Sequence, residues 1–195
     1  MFRSHRSGLL LVSAFVLGGL HLTAQSRPVV QGASHLEVAL DYNPARANTV
    51  PAYSFWMQGG SMQVCGQITQ HWGAVADISG LHNAVTPHAN TGLDLVTAVF
   101  GPRYTLAAPN GHYRIYGQAM GGLSSGLNSV FPGTKGTTNS ANSSAVLVGG
   151  GADYRFGRRL AYRIVDAAWL RTEFANGTTN VQNDFRIGTG IVLRF

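Results

Sequence analysis

From residue 35 onward no stretch of the chain spaces its apolar residues as a helix would. Apolar and polar positions alternate instead, the mark of strands with two different faces. In the segment Leu36–Tyr42, Leu36, Val38, Leu40 and Tyr42 fall on one face, and Glu37, Ala39 and Asp41 on the other. The C-terminal segment repeats the pattern, with Phe185, Ile187, Thr189, Ile191, Leu193 and Phe195 set against Arg186, Gly188, Gly190, Val192 and Arg194. Two arginines therefore stand where the first strand places its acids. Six more strand patterns lie between, at 53–68, 72–81, 93–105, 112–123, 144–154 and 160–174, which makes eight strands.

The connections alternate in kind. Those at 69–71, 106–111 and 155–159 are short, whereas 43–52, 82–92, 124–143 and 175–184 are long and rich in Asn, Ser, Thr, Gly and Pro. Short turns on one side and long loops on the other is the plan of a transmembrane barrel, with its turns in the periplasm and its loops outside. An even number of strands puts both ends of the barrel domain in the periplasm. The pattern predicts an all-β fold: a closed antiparallel up-and-down transmembrane β-barrel of eight strands.

A soluble barrel also alternates, but it turns its apolar face inward. Here the face opposite the greasy one carries Glu37, Asp41, Asp77, Arg103, Arg114, Asp153, Arg163, Arg186 and Arg194, one or two to a strand. That face is too charged for a dry core and too sparse for a water-facing skin. Turned inward, these nine residues form an interior network that is tolerable only if acids and bases pair, because an unpaired buried charge costs several kcal/mol. The register expected from the turns puts Glu37 beside Arg194, Asp41 toward Arg186, and Arg114 beside Asp153 with Arg103 seeking the same acid. Gly59-Gly60, Gly121-Gly122 and Gly149-Gly150-Gly151 fall inside strands, where a narrow barrel needs small inward residues. Tyr42, Trp72, Tyr104, Tyr113, Tyr154, Tyr162 and Phe195 mostly fall near strand ends, as interfacial girdles do.

Composition agrees with a membrane wall: 11% of residues are charged, 45% are hydrophobic, and glycine reaches 25 residues. The formal charge of +6 raises nucleic acid as a partner, but the arginines are scattered singly apart from Arg158-Arg159, and no nucleic acid is expected. Cys65 is the single cysteine, so the chain can form no internal disulfide. No cysteine stands after the leader to take a lipid anchor.

The leader itself is Arg3, His5 and Arg6, then an apolar run from Leu9 to Leu20, then Thr23, Ala24 and Ser26, which is the order of a secretory signal peptide. Cleavage after Ala24 or after Ser26 fits; the reading takes 1–26 as leader, 27–34 as a short extension and 35–195 as the barrel domain. Losing Arg3 and Arg6 lowers Lys+Arg from 14 to 12 against 8 Asp+Glu.

Three segments then carry a resemblance. They are Gly59-Gly60-Ser61 with Gly73-Ala74-Val75-Ala76-Asp77, Phe100-Gly101-Pro102-Arg103-Tyr104, and Gly149-Gly150-Gly151-Ala152-Asp153-Tyr154. With them the chain resembles the small outer-membrane β-barrel family typified by the transmembrane domain of outer membrane protein A, over about 36–195. The resemblance implies the cell outer membrane as location, contact with outer-membrane lipid, and insertion by the barrel-assembly machinery. That machinery reads a terminal aromatic preceded by alternating apolar residues; Phe195, Leu193, Ile191 and Ile187 match, and Thr189 departs from the pattern. Larger members carry a peptidoglycan-binding domain, and none is expected here.

Candidate chemistry is thin. Of the histidines beyond the leader, His35, His71 and His112 fall toward the periplasmic ends, leaving His82 and His88 in an outward loop, with Asp94 and the serines of 124–143 as the groups that fold alone would bring near them. No catalytic residue, metal ligand set or cofactor is assigned, since zinc ligands usually come with a third Cys, His or acid close by. An eight-stranded barrel encloses a space that side chains fill, so no open pore is expected. The expected role is that of a monomeric structural or surface-interaction protein displaying loops outside, the alternative being a barrel enzyme acting on lipid A or peptide.

Overall fold

The computed structural model describes residues 36–50, 53–86, 91–133, 136–176 and 180–195. The leader and the 27–34 extension lie outside the described residues, as do His35 and His88. The alternation becomes nine strands: β1 (Leu36–Tyr42), β2 (Ala45–Val50), β3 (Tyr53–Gln67), β4 (Trp72–Asn83), β5 (Leu93–Ala107), β6 (Tyr113–Gly133), β7 (Gly136–Arg155), β8 (Leu160–Thr172) and β9 (Gln182–Arg194). From β3 on, each pairs antiparallel with the next, and both β1 and β2 pair with β3 on one side and β9 on the other. The ring of hydrogen bonds is closed, which leaves no sheet edge to be satisfied by lipid.

Strands β1 and β2 occupy one position in the wall, so the barrel has eight. Between them stands Asn43-Pro44, where the sequence pattern puts the start of a long loop. Proline lacks the N–H that a ladder needs, yet the wall runs straight through it. Asn43 N donates to Gly59 O at 2.9 Å, and Ile187 N donates to Pro44 O at 3.1 Å. Burial keeps its phase across the break: Asp41, Asn43, Ala45 and Ala47 face in, and Tyr42 and Arg46 face out. The expectation of a loop over 43–52 is thereby corrected, because the proline interrupts pairing for one residue and does not end the strand.

The third expected loop, 124–143, is also strand. Strands β6 and β7 pair on past Ser124↔Ser143 to Gly133↔Gly136, with a register shift between Leu127 and Phe131. Residues 136–140 are exposed on both faces, so no alternation betrays them. Pairing nevertheless satisfies their backbone polar groups. The two ends of the barrel thus differ less in loop length than in strand overshoot. One end holds the tight turns and Phe195; the other holds the β2–β3 and β6–β7 hairpins and the segments after β4 and β8.

The outer face carries a broad apolar band, which gives way to polar residues such as Arg46, His82 and Glu173 at the hairpin end. Leu40 is 57% exposed, Phe100 73%, Leu123 67% and Ile191 53%, among thirty large hydrophobics of the described residues that face outward or stand open at the ends. At the turn end Trp72 packs edge-on against Tyr104 at 5.0 Å, and Tyr113 against Tyr154 at 5.1 Å, as part of an aromatic rim. Tyr42 is not in that rim, since the continuity of β1 and β2 places it in the middle of the wall.

Candidate functional site

A charged network of five acids and five bases fills the lumen: Glu37, Asp41, Asp77, Asp153 and Asp166 with Arg103, Arg114, Arg163, Arg186 and Arg194. All are buried except Arg114, which is half-buried at the turn end. Arg163 is the centre. Its Nη1 donates to Asp41 Oδ2 at 2.8 Å and its Nε to Asp153 Oδ1 at 3.1 Å, while Asp166 Oδ2 lies 3.7 Å away. Glu37 lies 3.0 Å from Arg194 Nε and also accepts from Arg114, and Arg194 reaches Asp153 at 3.5 Å. Arg186 donates to both oxygens of Asp77, at 3.2 and 2.9 Å.

One neutral residue joins the two halves of this network. Gln63 donates through Nε2 to Asp77 at 2.9 Å and to Asp166 at 2.8 Å, and accepts through Oε1 from Arg103 at 2.5 Å and Arg163 at 2.7 Å. Arg103 is further held by Gln118 Oε1, and its guanidinium lies 4.3 Å from the centre of the Tyr116 ring, with Arg163 4.9 Å from the same ring. Gly151 makes room for that ring: a Cβ there would meet the Tyr116 hydroxyl at 2.5 Å.

Toward the hairpin end the interior turns apolar. Ala45, Ala47, Phe55, Met57, Leu81, Leu93, Leu95, Leu147, Leu170 and Phe174 are buried together. Phe131 folds back to join them from the register shift in β6, its ring 5.7 Å from that of Phe174 and set against Gly126, where a Cβ would lie 2.5 Å from the ring. Above them opens a cavity of about 330 Å³ lined by Ala47, Met57, Leu95, Phe131, Phe174 and Asp184, with others. On the outside of the same end, His82 Nδ1 sits 2.5 Å from Asp94 Oδ1, and Asn128 donates to the other oxygen of Asp94. Among the described residues no serine, threonine or cysteine side chain is hydrogen-bonded to His82.

No family profile matches the sequence, and no curated relative matches it. Structure speaks where sequence does not. The crystal structure of Neisserial surface protein A (NspA) superposes with a TM-score of 0.63 at 18% identity, over 85% of this chain and 100% of that one. Ail, the attachment invasion locus protein of Yersinia pestis, superposes with a TM-score of 0.53 at 12% identity, over 82% of this chain and 97% of that one. The crystal structure of Ail in complex with the heparin analogue sucrose octasulfate gives 0.55 at 14%, over the same shares. The chain has the fold of a small outer-membrane β-barrel.

Within this outer-membrane barrel fold, the nine charged residues singled out by alternation all lie on the lumen side, but their partners differ from those the turns suggest. Register does set Glu37 opposite Arg194. Asp41 pairs with Arg163 and not with Arg186, whose partner is Asp77. Arg114 is the cross-strand neighbour of Asp153, yet its ion pair is with Glu37, and Arg103 takes two glutamines in place of an acid. The reason is the narrow lumen: a guanidinium reaches across it as easily as along the wall, so counting along neighbouring strands cannot choose its partner.

Asp166 escapes the alternation altogether. In β8 it stands three residues after Arg163, which should turn it outward. A bulge lets three steps of β8 match two of β9, so Arg163↔Gly190 and Asp166↔Gly188 face the same side. Its carboxylate brings the acids of the network to the number of its bases. Gln63 and Gln118 escape because an uncharged amide carries no signal of its own. His82 belongs to β4 and not to a loop, and Asp94 is its partner. Ile187, Ile191, Leu193 and Phe195 are all on the outer face.

Replacing Glu37 by Ala is expected to lower stability by about 3 kcal/mol, the lower end for a broken buried pair. Arg194 would keep Asp153 at 3.5 Å, and Arg114 is near enough to water to be solvated. Urea unfolding in lipid vesicles, followed by tryptophan fluorescence, measures this; a loss under about 0.5 kcal/mol would show that water already screens the pair.

Proposed function

We propose that the chain is an integral outer-membrane protein with a structural or surface-interaction role, presenting its hairpin end to the outside and conducting no solutes through the barrel. The observation that carries the reading is the filled lumen: four guanidiniums and five carboxylates cross it in mutual contact, the guanidinium of Arg103 is held by Gln63 and Gln118, and a buried apolar layer lies toward the mouth. Bare charges lining a water-filled channel would face solvent and not each other. The apolar outer face suits direct contact with lipid, and the outward row of Ile187, Ile191, Leu193 and Phe195 suits reading by the barrel-assembly machinery. The extended β6–β7 hairpin offers a surface to an external partner.

The test is conductance. Purified protein reconstituted into planar bilayers should give no stepwise openings, while cell fractionation should recover it with outer membranes after carbonate washing. Regular ohmic steps in every preparation would overturn the closed reading, and recovery as a soluble periplasmic protein would overturn the membrane one. A second reading, a barrel enzyme, draws on the His82–Asp94 pair, which holds an imidazole in place for proton transfer. It requires a nucleophile on the free ring nitrogen, and hydrolysis of lipid A or peptide lost in His82→Ala would favour it.

A further inference from the structure

The chain has eight carboxylate side chains. Seven lie within ion-pair distance of an arginine or histidine: Glu37, Asp41, Asp77, Asp94, Asp153, Asp166 and Glu173. Asp184 does not. It is only 4% exposed, it faces no cation among the described residues, and its hydrogen bond is from the backbone N–H of Asn48 at 3.0 Å. Its neighbours in the wall cannot help, since Gln182 is engaged with the backbone of Phe174 in both directions, at 2.8 and 3.0 Å.

This carboxylate lines the cavity of about 330 Å³ at the mouth, whose other walls include Ala47, Met57, Leu95, Phe131 and Phe174. The size is at the lower end for small-molecule sites; the wall mixes apolar side chains with polar ones such as Asn48, Thr86, Thr172 and Gln182, and Asp184 is its one charged group. An ionised carboxylate buried with one neutral hydrogen bond is costly unless something supplies the missing charge or donors. Elsewhere in this barrel the chain supplies them itself, with arginines. Here it leaves a space.

We propose that the mouth cavity binds a small molecule with an apolar body and a protonated amine, the body packed among Met57, Leu95, Phe131 and Phe174 and the ammonium seated on Asp184. The apolar walls select the body, and the carboxylate selects the cationic head over a neutral or anionic one. This site is separate from the charged network below and does not depend on whether the barrel conducts.

Met57 gives a direct reporter, because it lines the cavity while Met62 stands on the outer face. With methyl-labelled methionine and the full chain in lipid nanodiscs, titration with phenethylamine should shift the Met57 resonance saturably. The Met62 resonance should register only partition into lipid. The neutral isostere 2-phenylethanol should bind about tenfold or more weakly, and Asp184→Asn, which keeps an acceptor for Asn48, should bring the amine down to the level of the alcohol. Equal binding of amine and alcohol to the unaltered protein would overturn the proposal, and that comparison needs no variant to fold. So would amine binding that survives Asp184→Asn in a barrel with unchanged heat-modifiable gel mobility, or a Met57 resonance that never saturates.

Discussion

Arg163→Met barrels are expected to lose about 3–5 kcal/mol of stability in lipid, the largest loss from any single interior substitution. The side chain is fully buried and stands among Asp41, Asp153 and Asp166, at 2.8, 3.1 and 3.7 Å. Methionine fills similar space but carries no charge, so it leaves Asp41 with no cation and Asp166 with only the Gln63 amide, while Asp153 keeps Arg194. The penalty arises from the stranded carboxylates and not from a lost attraction, and this can be separated experimentally. Adding Asp41→Asn and Asp166→Asn to Arg163→Met should recover a large part of the loss, because neutral amides no longer demand a counter-charge. Urea titration in vesicles measures all three proteins. A loss under about 1 kcal/mol for Arg163→Met, or no recovery in the triple variant, would mean that the interior is wet enough to solvate the acids.

Gln63→Leu should come next, at about 3 kcal/mol, although it removes no charge at all. Four charged partners meet at this one amide, two on the donor side and two on the acceptor side. Hydrogen bonds to charged groups contribute about 1.5–3 kcal/mol each, and contacts sharing one side chain do not add. Neither glutamate nor lysine replaces it: glutamate has no donor when ionised, and lysine has no acceptor. Gln63→Glu should therefore fall at least as far as Gln63→Leu, since it adds negative charge beside Asp77 and Asp166. If Gln63→Glu were instead as stable as the unaltered protein at neutral pH, the role of the amide as a junction between acids and bases would be wrong. Both variants should still assemble into heat-modifiable barrels, because the outer face and the strand register are untouched.

The strands, their inward and outward faces and the closure of β1 on β9 are legible in the sequence because each is a local matter. Alternation at a period of two fixes which residues share a face, and two chain ends that fall on one side of an even sheet must meet. Thus Glu37 and Arg194 come together as counting predicts, and Phe185, Ile187, Ile191 and Leu193 face outward as their spacing requires. Local rules fail where tertiary structure supplies what local sequence lacks. Pro44 reads as a strand end, but pairing on both flanks carries the wall across it. The run 124–143 reads as a loop because it is rich in Ser, Asn, Thr and Gly, yet its two arms pair with each other on either side of a register shift. Asp166 reads as outward until the bulge in β8 shifts its phase. The choice of partners within the lumen, the junction at Gln63 and the solitary carboxylate of Asp184 were decided by the closed barrel alone. Side chains from strands far apart in sequence converge in a space a few side chains wide, and which of them touch depends on distances across that space, to which no periodicity along the chain refers.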